Sequence, residues 1–140
     1  MSGANLFGSN LIGTILVDVR FRNAFLKDVL MERADLTGAD LAGVYMLRGV
    51  LDDAKLIRAN LSGADMTGAA AEGADFTDAV MTGTRLSGAA LRFARFQRAE
   101  LSGADFTHAD MLNTIFVDAR NVPPSVMENV AAYFGAEMRR

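Results

Sequence analysis

Few side chains in this sequence are suited to acid–base or nucleophilic chemistry. His108 is the single histidine, and cysteine is absent. Without cysteine, disulfides, thiol catalysis and thiolate metal sites are excluded. A serine–histidine–aspartate arrangement would have to use His108 with Ser102 and either Asp105 or Asp110. A lone histidine among polar neighbours is ordinarily a solvated one. Asp35, Asp40, Asp65, Asp75, Asp105 and Asp110 lie at multiples of five residues, which is not the spacing of a calcium loop. No Gly-Lys-Ser/Thr follows any glycine, so a phosphate-cradling loop is not encoded. No catalytic, cofactor-binding or metal site is expected, and the chain reads as a non-enzyme.

Composition narrows the choice of partner. In 140 residues there are 17 Asp and Glu against 14 Lys and Arg, a formal charge of −3. A chain that coats nucleic acid would carry a basic excess, so direct nucleic-acid binding is not expected. No apolar run approaches the roughly 20 residues needed to span a bilayer, and no signal peptide is visible. The expectation is one domain in a reducing cytoplasm, without a membrane partner.

A period of five organises everything else. From Leu6 to Phe116 every fifth residue is Leu, Met or Phe, with Ala71 as the one exception. Two places before each stands a small residue, which is Ala in 15 of 23 repeats. Helices repeat every 3.6 residues and strands every 2.0, so neither element explains this spacing. A fixed short period without a slip belongs to a repeat architecture.

The clearest units are Ala59-Asn60-Leu61-Ser62-Gly63 and Ala34-Asp35-Leu36-Thr37-Gly38, with Ala74-Asp75-Phe76-Thr77-Asp78 close behind. On these motifs the chain resembles the pentapeptide-repeat proteins over about four-fifths of its length. The resemblance implies an all-β solenoid, a right-handed quadrilateral β-helix in which four pentapeptides form one square coil. Residues 4–119 would build about six coils, a rod about 27 Å long at about 4.8 Å per coil. Residues 20 apart would then stack, with the large residues and their small companions inside. One interior ladder would be Leu16, Leu36, Leu56, Phe76, Phe96 and Phe116, whose consecutive aromatics can stack. Ten of the 13 glycines fall two places after the large residue, a turn position where positive φ is tolerated.

Residues 120–140 depart from the repeat. After Pro123 and Pro124, Ser125 to Glu128 reads as a capping box that opens a short helix. Val126, Met127, Val130, Phe134 and Met138 would share one side of it. That side suits a lid over the last coil, or the interface of a homodimer that the family resemblance allows. At the other end Phe7, Ile12, Ile15 and Val17 occupy outward positions of the first coil.

Three outward features remain. Asp35, Lys55, Asp75 and Arg95 alternate in sign along one column, and Arg58, Asp78, Arg98 and Asp118 do so along another, which predicts cross-strand neutralisation. Glu32, Asp52 and Glu72 stack in a third column with Asp53 alongside, an unfavourable alignment that either splays into water, with Arg33 and Arg92 close by, or meets a basic partner. Phe25, Tyr45, Leu47, Leu30 and Val50 form an apolar patch where the repeat prefers Asp, Asn, Ser or Thr. An exposed apolar patch marks an interaction site. The sequence therefore predicts a rigid rod that presents a lateral surface to an unidentified protein partner. The alternative comes from the resemblance: some members imitate duplex DNA, bind DNA gyrase, and inhibit or protect it. Only the Glu32, Asp52, Asp53 and Glu72 region speaks for that mechanism.

Overall fold

The computed structural model describes residues 2–127. Each pentapeptide contributes one short extended segment and one corner. The extended part is centred on the residue before the large one; Phe25, for example, bridges in parallel to both Asn5 and Tyr45. Every such bridge joins residues 20 apart, so four pentapeptides complete a turn. Four outward ladders result. The first face carries Asn5, Phe25, Tyr45, Asp65, Arg85 and Asp105. The second carries Asn10, Leu30, Val50, Ala70, Ala90 and Asp110. Ile15, Asp35, Lys55, Asp75, Arg95 and Ile115 line the third, and Arg20, Asp40, Asn60, Val80, Glu100 and Arg120 the fourth.

Backbone pairing explains why the register cannot slip. Leu26 donates its N–H to the Tyr45 carbonyl at 2.7 Å, Asp28 donates to Leu47 at 3.0 Å, and Tyr45 donates back to Ala24 at 3.0 Å. The corner closes within the repeat, with Val29 donating to Leu26 at 3.1 Å. A one-residue shift would break these bonds and turn the large side chains outward.

The corners hold more than the glycines do. At the second corner residue φ is positive throughout, whether the residue is Gly63 (φ 66), Asp53 (φ 57), Arg58 (φ 58) or Phe93 (φ 60). A positive φ at the third residue of a tight turn is the mark of a type II geometry. Asp and Asn tolerate it, but a bulky residue is strained there by about 1–2 kcal/mol.

The interior is filled as the columns predict. Large residues from Phe21 to Phe116 are buried, together with their small companions from Ala24 onward. Phe76, Phe96 and Phe116 stack at 4.8 and 5.2 Å with nearly parallel rings, and Phe106 meets two of them edge-on. Two inward hydroxyls are satisfied internally: Thr84 donates to the Leu61 carbonyl and Thr114 to that of Leu91, both at 2.8 Å. Leu6, Leu11 and Leu16 in the first coil are only partly covered.

After the last repeat, Val122 packs on the core and Val126 is wholly buried. Residues 124–127, the last described, are helical. This segment begins one residue before the expected capping serine. Pro124 takes its first position, where a missing N–H is harmless, and Ser125 lies within the segment. Met127 is exposed. Val130, Phe134 and Met138 lie outside the described residues.

Candidate functional site

The apolar residues singled out in the sequence meet on two adjoining faces. Phe25 and Tyr45 stack with ring centroids 5.2 Å apart and planes 5° from parallel. They remain 37% and 38% exposed. Bridging on either side fixes the pair, since Tyr45 bridges onward to Asp65. Leu47 sits at the following corner, and Leu30 and Val50 bridge on the second face; all three are half-buried.

The aromatic ladder reaches further than the sequence patch, to a residue noted there only as outward-facing. Phe7 stacks on Phe25 at 6.1 Å and is 55% exposed, so the aromatic ladder continues into the first coil. Its offset from Phe25 is 18 residues instead of 20. The same offset produces the Arg22–Asp40 ion pair at 3.0 Å and Arg92–Asp110 at 2.6 Å. A side chain just after the large residue therefore leans towards the centre of the next coil. Phe93, away from this ladder, is another exposed aromatic that the sequence did not single out. It is 53% exposed in the positive-φ column, between Gly73 and Asn113, and a bulky residue in that column was the signal available.

Of the two alternating columns expected from the sequence, the one through Asp78 and Arg98 closes an ion pair and the one through Asp35 and Lys55 does not. Asp78 takes Arg98 through two bonds of 2.9 and 3.2 Å, and Asp28 takes Arg48 at 2.9 and 3.1 Å. Each arginine holds its aspartate below the usual carboxylate range. In the Asp35, Lys55, Asp75, Arg95 column no ion pair closes among the described residues. Instead Asp35 accepts the Thr37 hydroxyl at 2.6 Å and the Thr37 N–H at 3.1 Å, which lowers its pKa. Asp75 is bonded to Thr77 in the same way.

The acidic group lies beside the second face. Glu32, Asp52 and Glu72 each follow a residue of that face by two positions. Asp52 accepts the Glu72 N–H at 2.9 Å. The Asp53 carboxylate fills the space that a Cβ on Gly73 would occupy. One Glu32 oxygen, Oε2, is buried without a hydrogen-bond donor among the described residues. None of the four carboxylates takes part in an ion pair within the described residues.

His108 is exposed at a corner with φ 59. Of its two acid neighbours in sequence, Asp105 accepts the Thr107 N–H and hydroxyl and Asp110 accepts from Arg92. Among the described residues no group of three or more His, Cys, Asp or Glu is placed to hold a metal, and no helix is long and apolar enough to cross a membrane.

With this geometry in view, the sequence model of pentapeptide repeats matches residues 1–38, 14–46, 50–83 and 84–120, in 8 copies. The chain belongs to the pentapeptide-repeat family. No curated protein sequence matches it. Among solved structures, a pentapeptide-repeat protein of the cyanobacterium Cyanothece 51142 is similar at 24% identity and TM-score 0.70, over 81% of this chain and 88% of that one. HetL of Nostoc sp. strain PCC 7120, involved in the regulation of heterocyst differentiation, matches at 23% identity and TM-score 0.47, over 83% and 65% of the two chains. QnrB1, a plasmid-mediated fluoroquinolone resistance protein, matches at 19% identity and TM-score 0.48, over 99% and 77%. These likenesses are of fold, and pentapeptide-repeat neighbours of this kind form right-handed quadrilateral β-helices.

Proposed function

We propose that this pentapeptide-repeat chain is a non-enzymatic interaction module that offers the first face and the adjoining second face to a protein partner. The observation that carries this reading is the aromatic ladder of Phe7, Phe25 and Tyr45, ring upon ring and more than a third exposed. Size at these places is not needed for the fold, because Asn5 and Asp65 occupy the same ladder. Aromatic anchors at an interface commonly contribute 2 kcal/mol or more each. The solenoid supplies rigidity, so little ordering cost opposes binding. The double substitution Phe25→Asn with Tyr45→Asp should retain the circular dichroism spectrum and lose the captured partner. Retention of every partner by the folded double variant would refute the assignment.

A second reading is favoured by the unpaired carboxylates beside the second face: imitation of duplex DNA and binding of DNA gyrase. Against it, acids elsewhere are neutralised by Arg22, Arg48, Arg92 and Arg98. A supercoiling assay separates the two. The interaction-module reading expects no inhibition at tens of micromolar, a concentration corresponding to about −6 kcal/mol of binding.

A further inference from the structure

The second face combines two properties that occur separately elsewhere on the described surface. Its central ladder is uncharged over three consecutive steps, through the bridges Leu30 to Val50, Val50 to Ala70 and Ala70 to Ala90. The side chains shrink along that path, so the backbone is approachable at Ala70 and Ala90. Along one margin stand Glu32, Asp52, Asp53 and Glu72, outside every ion pair of the described residues; Arg33 and Arg92 share their two columns, Arg92 pairing with Asp110, so the margin carries four acids against two cations. Like charges stacked at inter-strand spacing repel one another, and the buried Glu32 Oε2 has no donor among the described residues. An apolar floor beside an anionic margin is complementary to a surface with an apolar stripe flanked by cations.

We propose that the second face receives an amphipathic, cationic α-helix of a partner protein, laid parallel to the solenoid axis. This specifies the partner of the lateral-surface reading and rests on it. An added β-strand does not fit, because the floor's backbone is already engaged: the N–H groups of Leu30, Val50 and Ala70 donate to Ser9, Val29 and Gly49, each at 2.9 Å. A helix needs no main-chain partner and joins through side chains. Its pitch of about 5.4 Å lies close to the coil rise of about 4.8 Å. One apolar side chain and one flanking cation per helical turn therefore meet each coil. The mismatch grows to only about 2 Å over three turns, which a lysine stem absorbs. From Leu30 to Ala90 the floor measures about 14 Å, or roughly ten helical residues.

Three fluorescent, lactam-bridged helical peptides of about 14 residues test the proposal by anisotropy against the full chain. One carries a Leu stripe flanked by Lys, one the same stripe flanked by Glu, and one Ser in place of Leu with the Lys retained. The Leu/Lys peptide should bind at least about tenfold more tightly than either control, and binding should weaken with salt. Glu32→Lys with Asp52→Lys should weaken it by about tenfold or more and remove the salt dependence. Ala70→Arg, which blocks the floor, should do the same, whereas Asp75→Lys on the third face should leave binding unchanged. Equal binding of the Ser/Lys peptide, or indifference to Ala70→Arg in a chain with a native spectrum, would overturn the proposal. If no peptide binds while Phe25→Asn with Tyr45→Asp still releases the natural partner, the helix proposal fails and the lateral surface stands.

Discussion

Leu56 gives the sharpest test of the interior. It is fully buried, between Leu36 and Phe76 on one ladder. Leu56→Ala removes three carbons, a transfer loss of about 2.4 kcal/mol at about 0.8 kcal/mol per methylene. Stacked coils on both sides hinder collapse, so a residual cavity raises the loss to about 3–4 kcal/mol. Leu16 occupies the same ladder in the first coil, where it is only partly buried. Leu16→Ala should therefore cost about half as much, since less area leaves water there. Leu56→Asp adds an unpaired buried carboxylate, a further several kcal/mol, and should abolish folding in a domain of ordinary stability. Urea titration followed by circular dichroism measures all three. Equal losses at Leu56 and Leu16, or a folded Leu56→Asp variant, would refute the assignment of inside and outside.

The remaining expectations follow from individual contacts. Asp35 is held below its ordinary pKa chiefly by the Thr37 hydroxyl, so its stabilisation exists above the unfolded carboxylate pKa and is lost as pH falls through the lower, folded value. Thr37→Val should move the Asp35 titration up towards the ordinary carboxylate range in a carboxyl NMR experiment, and an unmoved titration would contradict this. Gly49→Ala introduces the commonest residue of its column, yet the new Cβ would stand 2.7 Å from Met46 Cγ and 3.3 Å from the Met46 carbonyl. It should destabilise by about 1 kcal/mol; a gain in melting temperature would show that Met46 moves aside freely. Deleting Ser125 to Arg140 uncovers the last coil by removing Val126, and light scattering should report end-to-end association. A fall from dimer to monomer mass would instead make that segment a dimer interface.

The interior was legible in the sequence because a solenoid repeats its chemistry at fixed intervals. With four repeats per coil implied by the family resemblance, the run Phe76, Phe96, Phe116 could be placed ring on ring, and so could Phe25 on Tyr45. What escaped depends on side-chain reach. Phe7 joins Phe25 along a diagonal of 18 residues, as Arg22 joins Asp40, and a strict count of 20 overlooks both. Asp35 satisfied itself locally on Thr37, because a hydroxyl two residues away competes well with a flexible lysine on the next coil. Corner geometry was visible only where glycine advertised it; Phe93 adopts the same positive φ because inter-coil bonds such as Phe93 N–H to Leu112 O, at 3.1 Å, hold it there.

The lateral surface is tested most directly by site-specific photo-crosslinking. A benzophenone side chain in place of Tyr45 lies on the exposed aromatic ladder, while one in place of Lys55 lies on the third face. In a lysate of the native host, the probe at position 45 should capture a discrete protein, and the capture should disappear when Phe25 is also changed to Asn. Capture from position 55 with none from position 45 would contradict the proposed surface.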